Sequence, residues 1–105
     1  VAAARQSPPA DTQKRDKYII NMYYVYSLKC KNGYYIGCTN DLKKRLYRHE
    51  KGQIAATTNR LPIKLDFYFA IKDKYIAFEF EKYLKSGSGR AFVKKHFINH
   101  NYGRK

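Results

Sequence analysis

The sequence predicts a small α/β domain of the α+β kind: a three-stranded antiparallel sheet flanked by helices, in the order β-β-α-β-α-α. Three runs are rich in β-branched and aromatic residues, and an Asn-Gly turn signal separates the first two. After the second run, and again after the third, apolar residues recur at helical rather than alternating spacing. A chain of 105 residues that is 44% hydrophobic has room for one core and the residues to fill it.

The elements follow in order. The opening VAAARQSPPADTQKRDK is proline, glutamine, alanine and charge, so residues 1–18 are expected to form a flexible arm or the remnant of a longer upstream chain. The domain is expected over 19–102, with a short tail at 103–105. MYYVYSLK (22–29) reads as the first strand and YYIGC (34–38) as its return, joined through KNG (31–33). With Asn32-Gly33 as a two-residue turn, Tyr35 falls opposite Cys30, which places it on the same face as Tyr26. TND (39–41) offers N-cap oxygens to a helix over 42–52, LKKRLYRHEKG, closed by Gly52. IAATTNRLP (54–62) reads as a loop and IKLDFYFAI (63–71) as the third strand. A second helix is expected over 73–87, with Ile76, Phe80, Tyr83 and Leu84 on its apolar stripe. Ser88 is expected to cap a third, short helix over 88–97.

Charge narrows the function. Twenty-two Lys and Arg against 8 Asp and Glu give a net charge of +14, whose self-repulsion is best relieved by a polyanion. Nucleic acid leads over an anionic membrane surface. No apolar run approaches the length of a membrane span. Cys30 and Cys38, the only cysteines, lack zinc-ligand spacing and read as reduced thiols of a cytoplasmic protein.

Spacing brings particular side chains together. Arg45 and His49 lie one turn apart on one helix face, with Leu42 and Leu46 anchoring that edge in the core. Glu81 stands beside an apolar stripe in a chain where acids are scarce. Taken alone it is the i,i+4 partner of Lys85. Taken together, tyrosines, an imidazole, a cation and a carboxylate supply what phosphodiester cleavage needs.

These residues resemble the GIY-YIG nucleases. YVY (24–26) stands at the first name-giving motif and YIG (35–37) at the second; TNDLKKRL, His49 and EKYLK (81–85) follow in order. The stretch EKYLKSGSGR (81–90) is similar to the small standalone bacterial group described as excinuclease-like or uncharacterised endonucleases. Tyr24 stands where the name-giving glycine would be, and Cys38 where some members carry lysine. The resemblance implies a metal-dependent endonuclease of DNA repair or processing. Tyr26 would be the proton acceptor or its partner, Tyr35 would position water or phosphate, and Gly37 would let the strand approach the helix. Arg45 would stabilise the transition state, His49 would relay a proton, and Glu81 would hold Mg²⁺ or Mn²⁺. Lys43, Lys44, Arg48, Lys51, Arg60 and Lys85, with Thr57 and Asn59 more weakly, would contact nucleic acid along its backbone rather than read its sequence. All five catalytic candidates are expected to meet in one surface cleft. Two other readings stand beside this one: a binder without turnover, and a nuclease module of a larger repair or homing enzyme.

Overall fold

The computed structural model describes residues 21–98; the arm expected at 1–18 and the tail at 103–105 lie outside them. Three strands, β1 (Tyr23–Lys29), β2 (Tyr34–Thr39) and β3 (Lys64–Ile71), form one antiparallel sheet in the order β2-β1-β3. Helix α1 (Leu42–Glu50) follows β2, and α2 (Lys74–Lys85) and α3 (Gly87–Val93) follow β3. A π-helical turn, Lys94–Ile98, ends the described chain. The expected class and element order hold.

The hairpin register differs from expectation. Lys29 pairs with Tyr34 and Leu28 with Tyr35, and the Cys30 N–H donates to the Gly33 carbonyl at 2.8 Å. The turn therefore centres on Lys31 and Asn32, one residue earlier than expected. Gly33, at φ 89°, supplies the left-handed bend at its end. Both strands slip by one residue, so parity survives, and Tyr26 and Tyr35 still project from the same face.

Each face of the sheet carries its own core. On one face Tyr26, Leu28 and Cys30 pack with Tyr35, Leu42, Leu46 and Ile63, so α1 covers this side. On the other face Val25 and Ile36 pack against Ala77 and Leu84 of α2 and Val93 of α3. The rings of Phe67, Phe69, Phe80, Phe92 and Phe97 extend this second core, with Phe67 stacked on Phe97 at 4.5 Å between centroids. Ser27 alone among the buried side-chain polar groups described lacks a partner.

Caps set the helix ends. The Asp41 side chain accepts from the Lys44 N–H, and Gly52, at φ 72°, closes α1 by donating to the His49 carbonyl. The Asp73 side chain caps α2, accepting from the N–H groups of Tyr75 and Ile76. The buried stripe of α2 runs through Ala77, Phe80, Glu81 and Leu84, with Phe80 and Glu81 partly covered. Ile76 and Tyr83, expected on that stripe, are 60% and 42% exposed. The helix is thus rotated from its expected orientation, and the rotation turns Glu81 toward the sheet. Ser86, not Ser88, caps α3, its hydroxyl accepting from the Gly89 N–H. Gly89 makes this tight join possible, since a Cβ there would overlap the Tyr83 carbonyl oxygen.

Candidate active site

Beneath α1 lies a sealed hydrogen-bonded chain. The Tyr26 hydroxyl is 2.8 Å from Nε2 of His49, and Nδ1 of His49 is 2.7 Å from the Thr57 hydroxyl. All three residues are completely buried. Each is brought in by a different element: Tyr26 by central strand β1, His49 by the last turn of α1, and Thr57 by the loop between α1 and β3. That loop is fixed by its own backbone. The Ile54 carbonyl accepts from Thr57 and Thr58, and the Thr57 carbonyl accepts from Arg60. Lys31 at the hairpin tip donates to the Arg60 carbonyl, tying the loop down.

Electrostatics fixes the protonation of the chain. Burial pushes the Tyr26 phenol up to about 12; Tyr35 and Glu81 add to the rise, and Arg45 partly offsets it by charge and hydrogen bonding. Burial lowers the His49 imidazole, and the charges of Arg45 and Arg48 lower it further. His49 is therefore neutral near pH 7, with one ring nitrogen donating and the other accepting. If Thr57 donates to Nδ1, then Nε2–H donates to Tyr26. If Nδ1–H donates to Thr57, Tyr26 donates to Nε2.

Gly37 has a different role from the one expected. It pairs directly with Tyr26 across the strands, and a Cβ on it would stand 2.5 Å from the Tyr26 hydroxyl oxygen. The missing side chain makes room for the Tyr26 ring, not for a helix.

The remaining candidates gather around edge strand β2. Tyr35, half-buried, sets its ring 5.3 Å from that of His49 and 6.3 Å from that of Tyr26. Arg45, half-buried on α1, acts on Tyr26, His49 and the Cys38 thiol together. Glu81 comes from α2 on the opposite face, yet its charge reaches both Tyr26 and Cys38. Its Oε2 accepts a 3.0 Å ion pair from Lys85. Tyr26, Tyr35 and His49 are thus in mutual ring contact, Arg45 on α1 and Glu81 on α2 act on them by charge from the two sides of the sheet, and Tyr26 and His49 lie entirely below the surface. Cys38 sits among Arg45, Glu81 and Lys85; burial and Glu81 raise its thiol, and the two cations oppose them.

The nucleic-acid candidates divide. Lys43, Lys44, Arg48, Lys51, Asn59 and Lys85 are exposed. Lys44, Arg45 and Arg48 line a concavity of about 250 Å³ with Thr39, Asn40 and Asp41. Arg60 is half-buried, its Nε donating to Asn32 Oδ1 and its Nη2 to the carbonyls of Asn32 and Tyr34. Thr57 does not belong with the surface contacts: it is wholly buried and its hydroxyl is engaged by His49.

Among the described residues no group of three or more His, Cys, Asp or Glu side chains is placed to hold a metal ion. The donor set is one carboxylate, Glu81, which is ion-paired with Lys85 through Oε2. A hard ion such as Mg²⁺ can be held by one carboxylate when water and substrate phosphate fill the remaining positions. These residues therefore fit an ion that arrives with phosphate. No described helix is long and apolar enough to cross a membrane.

Comparison with known proteins identifies the family. A family model described as the GIY-YIG catalytic domain matches residues 22–96. A UPF0213 protein of Streptococcus pneumoniae is 37% identical over 83 residues, covering 77% of this chain and 82% of its own length. The UPF0213 protein YazA of Bacillus subtilis is 40% identical over 67 residues, covering 62% of this chain and 68% of its own. A UPF0213 protein of Bacillus licheniformis is likewise 40% identical over 67 residues, covering 62% and 69%. No solved structure matches the chain significantly.

Proposed function

Because the chain belongs to the GIY-YIG family of nuclease domains, we propose that it is a metal-dependent endonuclease that hydrolyses phosphodiester bonds of DNA, directed by backbone and structure, in DNA repair or processing in the cytoplasm. The observation that carries this reading is the buried Tyr26–His49–Thr57 chain directly behind half-buried Tyr35, with the charges of Arg45 and Glu81 both acting on Tyr26. A core built only for packing has no need of three polar groups in series, because each must be desolvated and matched.

In this mechanism Tyr35 is the tyrosine that meets the attacking water or the phosphate. Tyr26 is its partner behind the surface. Raised to about 12, Tyr26 stays a neutral phenol, so it takes the water's proton by way of Tyr35 only as its own proton passes to Nε2 of His49. His49 becomes a transient imidazolium, disfavoured by burial and by Arg45 and Arg48, and returns the proton when the leaving oxygen is protonated. That transfer requires the tautomer in which Nδ1–H donates to Thr57. Arg45 places its guanidinium where charge accumulates on the phosphoryl oxygens, a contribution typically worth about 10²–10³ in rate. Glu81 would hold the divalent ion, Mg²⁺ or Mn²⁺, which supplies Lewis-acid polarisation of the phosphate when bound.

The test is incubation of the purified chain with duplex, single-stranded, flap and branched DNA, and with RNA, in Mg²⁺ or Mn²⁺. Wild type should cut at least one DNA form, and Glu81→Ala should cut none. Tyr26→Phe, which keeps the ring, should slow cleavage. A wild type that binds all of these forms and cuts none would replace the enzyme with a binding module.

A further inference from the structure

A second concavity opens on the other side of Tyr35. It has a volume of about 460 Å³ and is bounded by the hairpin tip, by Tyr34, Tyr35 and Ile36 of β2, by Leu84 and Lys85 of α2, and by Arg60 and Arg90. Among the described residues no carboxylate lines it, while three cations do, of which Lys85 is paired with Glu81. The two arginines are held by the protein's own backbone. Arg60 Nε donates to Asn32 Oδ1 at 2.8 Å, and its Nη2 donates to the Asn32 and Tyr34 carbonyls. Arg90 Nε donates to the Lys85 carbonyl at 3.2 Å. This leaves Nη1 of Arg60 and both Nη groups of Arg90 with their hydrogens unassigned. The Arg60 fork, held at three points, loses little freedom on binding, and both guanidiniums suit tetrahedral oxyanions.

Its position is as informative as its charge. Tyr35 is shared between this concavity and the His49 cluster. Lys85 follows Glu81 by one turn of α2 and is ion-paired with it at 3.0 Å, so the concavity adjoins the Glu81 carboxylate. We propose that this concavity is a second phosphate site, in which Arg60 and Arg90 take the phosphate next to the one cleaved and so set the strand's register over Tyr35. The choice of nucleic acid as ligand rests on the nuclease reading. The preference for phosphate stands on the pocket alone.

The test reads binding without cleavage, using the full chain in EDTA. The Nε–H groups of Arg60 and Arg90 are both hydrogen-bonded, which slows their exchange with water and favours their observation by NMR. Titration with inorganic phosphate, and separately with a single-stranded DNA dodecamer, should move and saturate both signals; sodium chloride at matched ionic strength should not. By fluorescence anisotropy, Arg90→Gln should weaken dodecamer binding and lower the slope of log K against log salt by roughly 0.7, the value of one lost contact to a single strand. Exposed Lys72, outside the concavity, serves as control through Lys72→Gln. Arg60→Gln should act as Arg90→Gln does if it folds; since Arg60 also secures the hairpin, Arg90→Gln is the deciding variant. The proposal is overturned if Arg90→Gln binds the dodecamer no more weakly than Lys72→Gln. It is also overturned if the signals respond to phosphate only as they do to chloride, or if phosphate saturates them while the dodecamer leaves them still. A chain that cuts nothing yet shows the expected titration keeps the phosphate site and loses the nuclease reading. A chain that cuts but fails the titration loses only the site.

Discussion

Thr57 controls more than its size suggests, because it is the sole partner seen for Nδ1 of His49 among the described residues, and it thereby biases which nitrogen carries the proton. Thr57→Val keeps the shape and removes the hydroxyl. The expected result is a change in the His49 tautomer ratio, read from its ring ¹⁵N shifts, with Thr57→Ser restoring the wild-type ratio. An unchanged ratio in Thr57→Val would make Thr57 a packing residue. The same burial gives a pH dependence. His49 has a lowered folded pKa, so below its ordinary value of 6.5 the unfolded chain takes up a proton that the folded chain refuses. The stability contribution is present above pH 6.5 and drains away as pH falls toward the folded value. Urea midpoints should therefore decline between pH 7 and pH 5, and the decline should be shallower in His49→Gln. Arg45 and His49 were legible from their four-residue spacing. Thr57 was legible only as a polar loop residue, because its inward turn depends on backbone bonds from Ile54 and Arg60 that no local pattern announces.

At the scale of elements, two glycines carry close approaches of different kinds. A Cβ on Gly37 would meet the end of the Tyr26 side chain, which the His49 hydrogen bond prevents from swinging freely. Gly37→Ala should cost about 1–3 kcal/mol as an overpacked core does, and should slow cleavage by moving the hydroxyl. A Cβ on Gly89 would meet the backbone of Tyr83 and Leu84, which has nowhere to go. Gly89→Ala should therefore lower the urea midpoint more than Gly37→Ala, while leaving the ring contact of Tyr26 with His49 intact. An equal or smaller effect at Gly89 would mean that the join between α2 and α3 is loose. Strand and helix identities were legible because their periods are strong. The turn position was not, since Asn32-Gly33 supports either placement, and the stripe of α2 was misplaced because exposed Ile76 and Tyr83 are as apolar as the residues actually buried.

Across the whole molecule, the sequence assigned residues to faces within each element but could not show that α1 and α2 lie on opposite sides of the sheet. That arrangement puts Arg45 and Glu81 on opposite sides of the sheet, so the candidate residues approach strand β2 from two faces. It also separates two tasks. On the proposed reading, backbone affinity belongs to the net charge of +14, whereas Glu81 is an acid engaged with Lys85. Removing its carboxylate subtracts a repulsive charge and frees Lys85 for a phosphate. Glu81→Ala should therefore lose cleavage while binding duplex DNA at least as tightly as wild type. Its slope of log K against log salt should be unchanged or steeper by up to about 0.9, the increment for one more phosphate contact on a duplex. Anisotropy titrations across a range of salt concentrations measure both quantities. Parallel loss of binding and cleavage would show that Glu81 supports the fold rather than a metal ion. A nearly flat salt dependence in wild type would show that the basic residues are solvated surface and do not hold the strand.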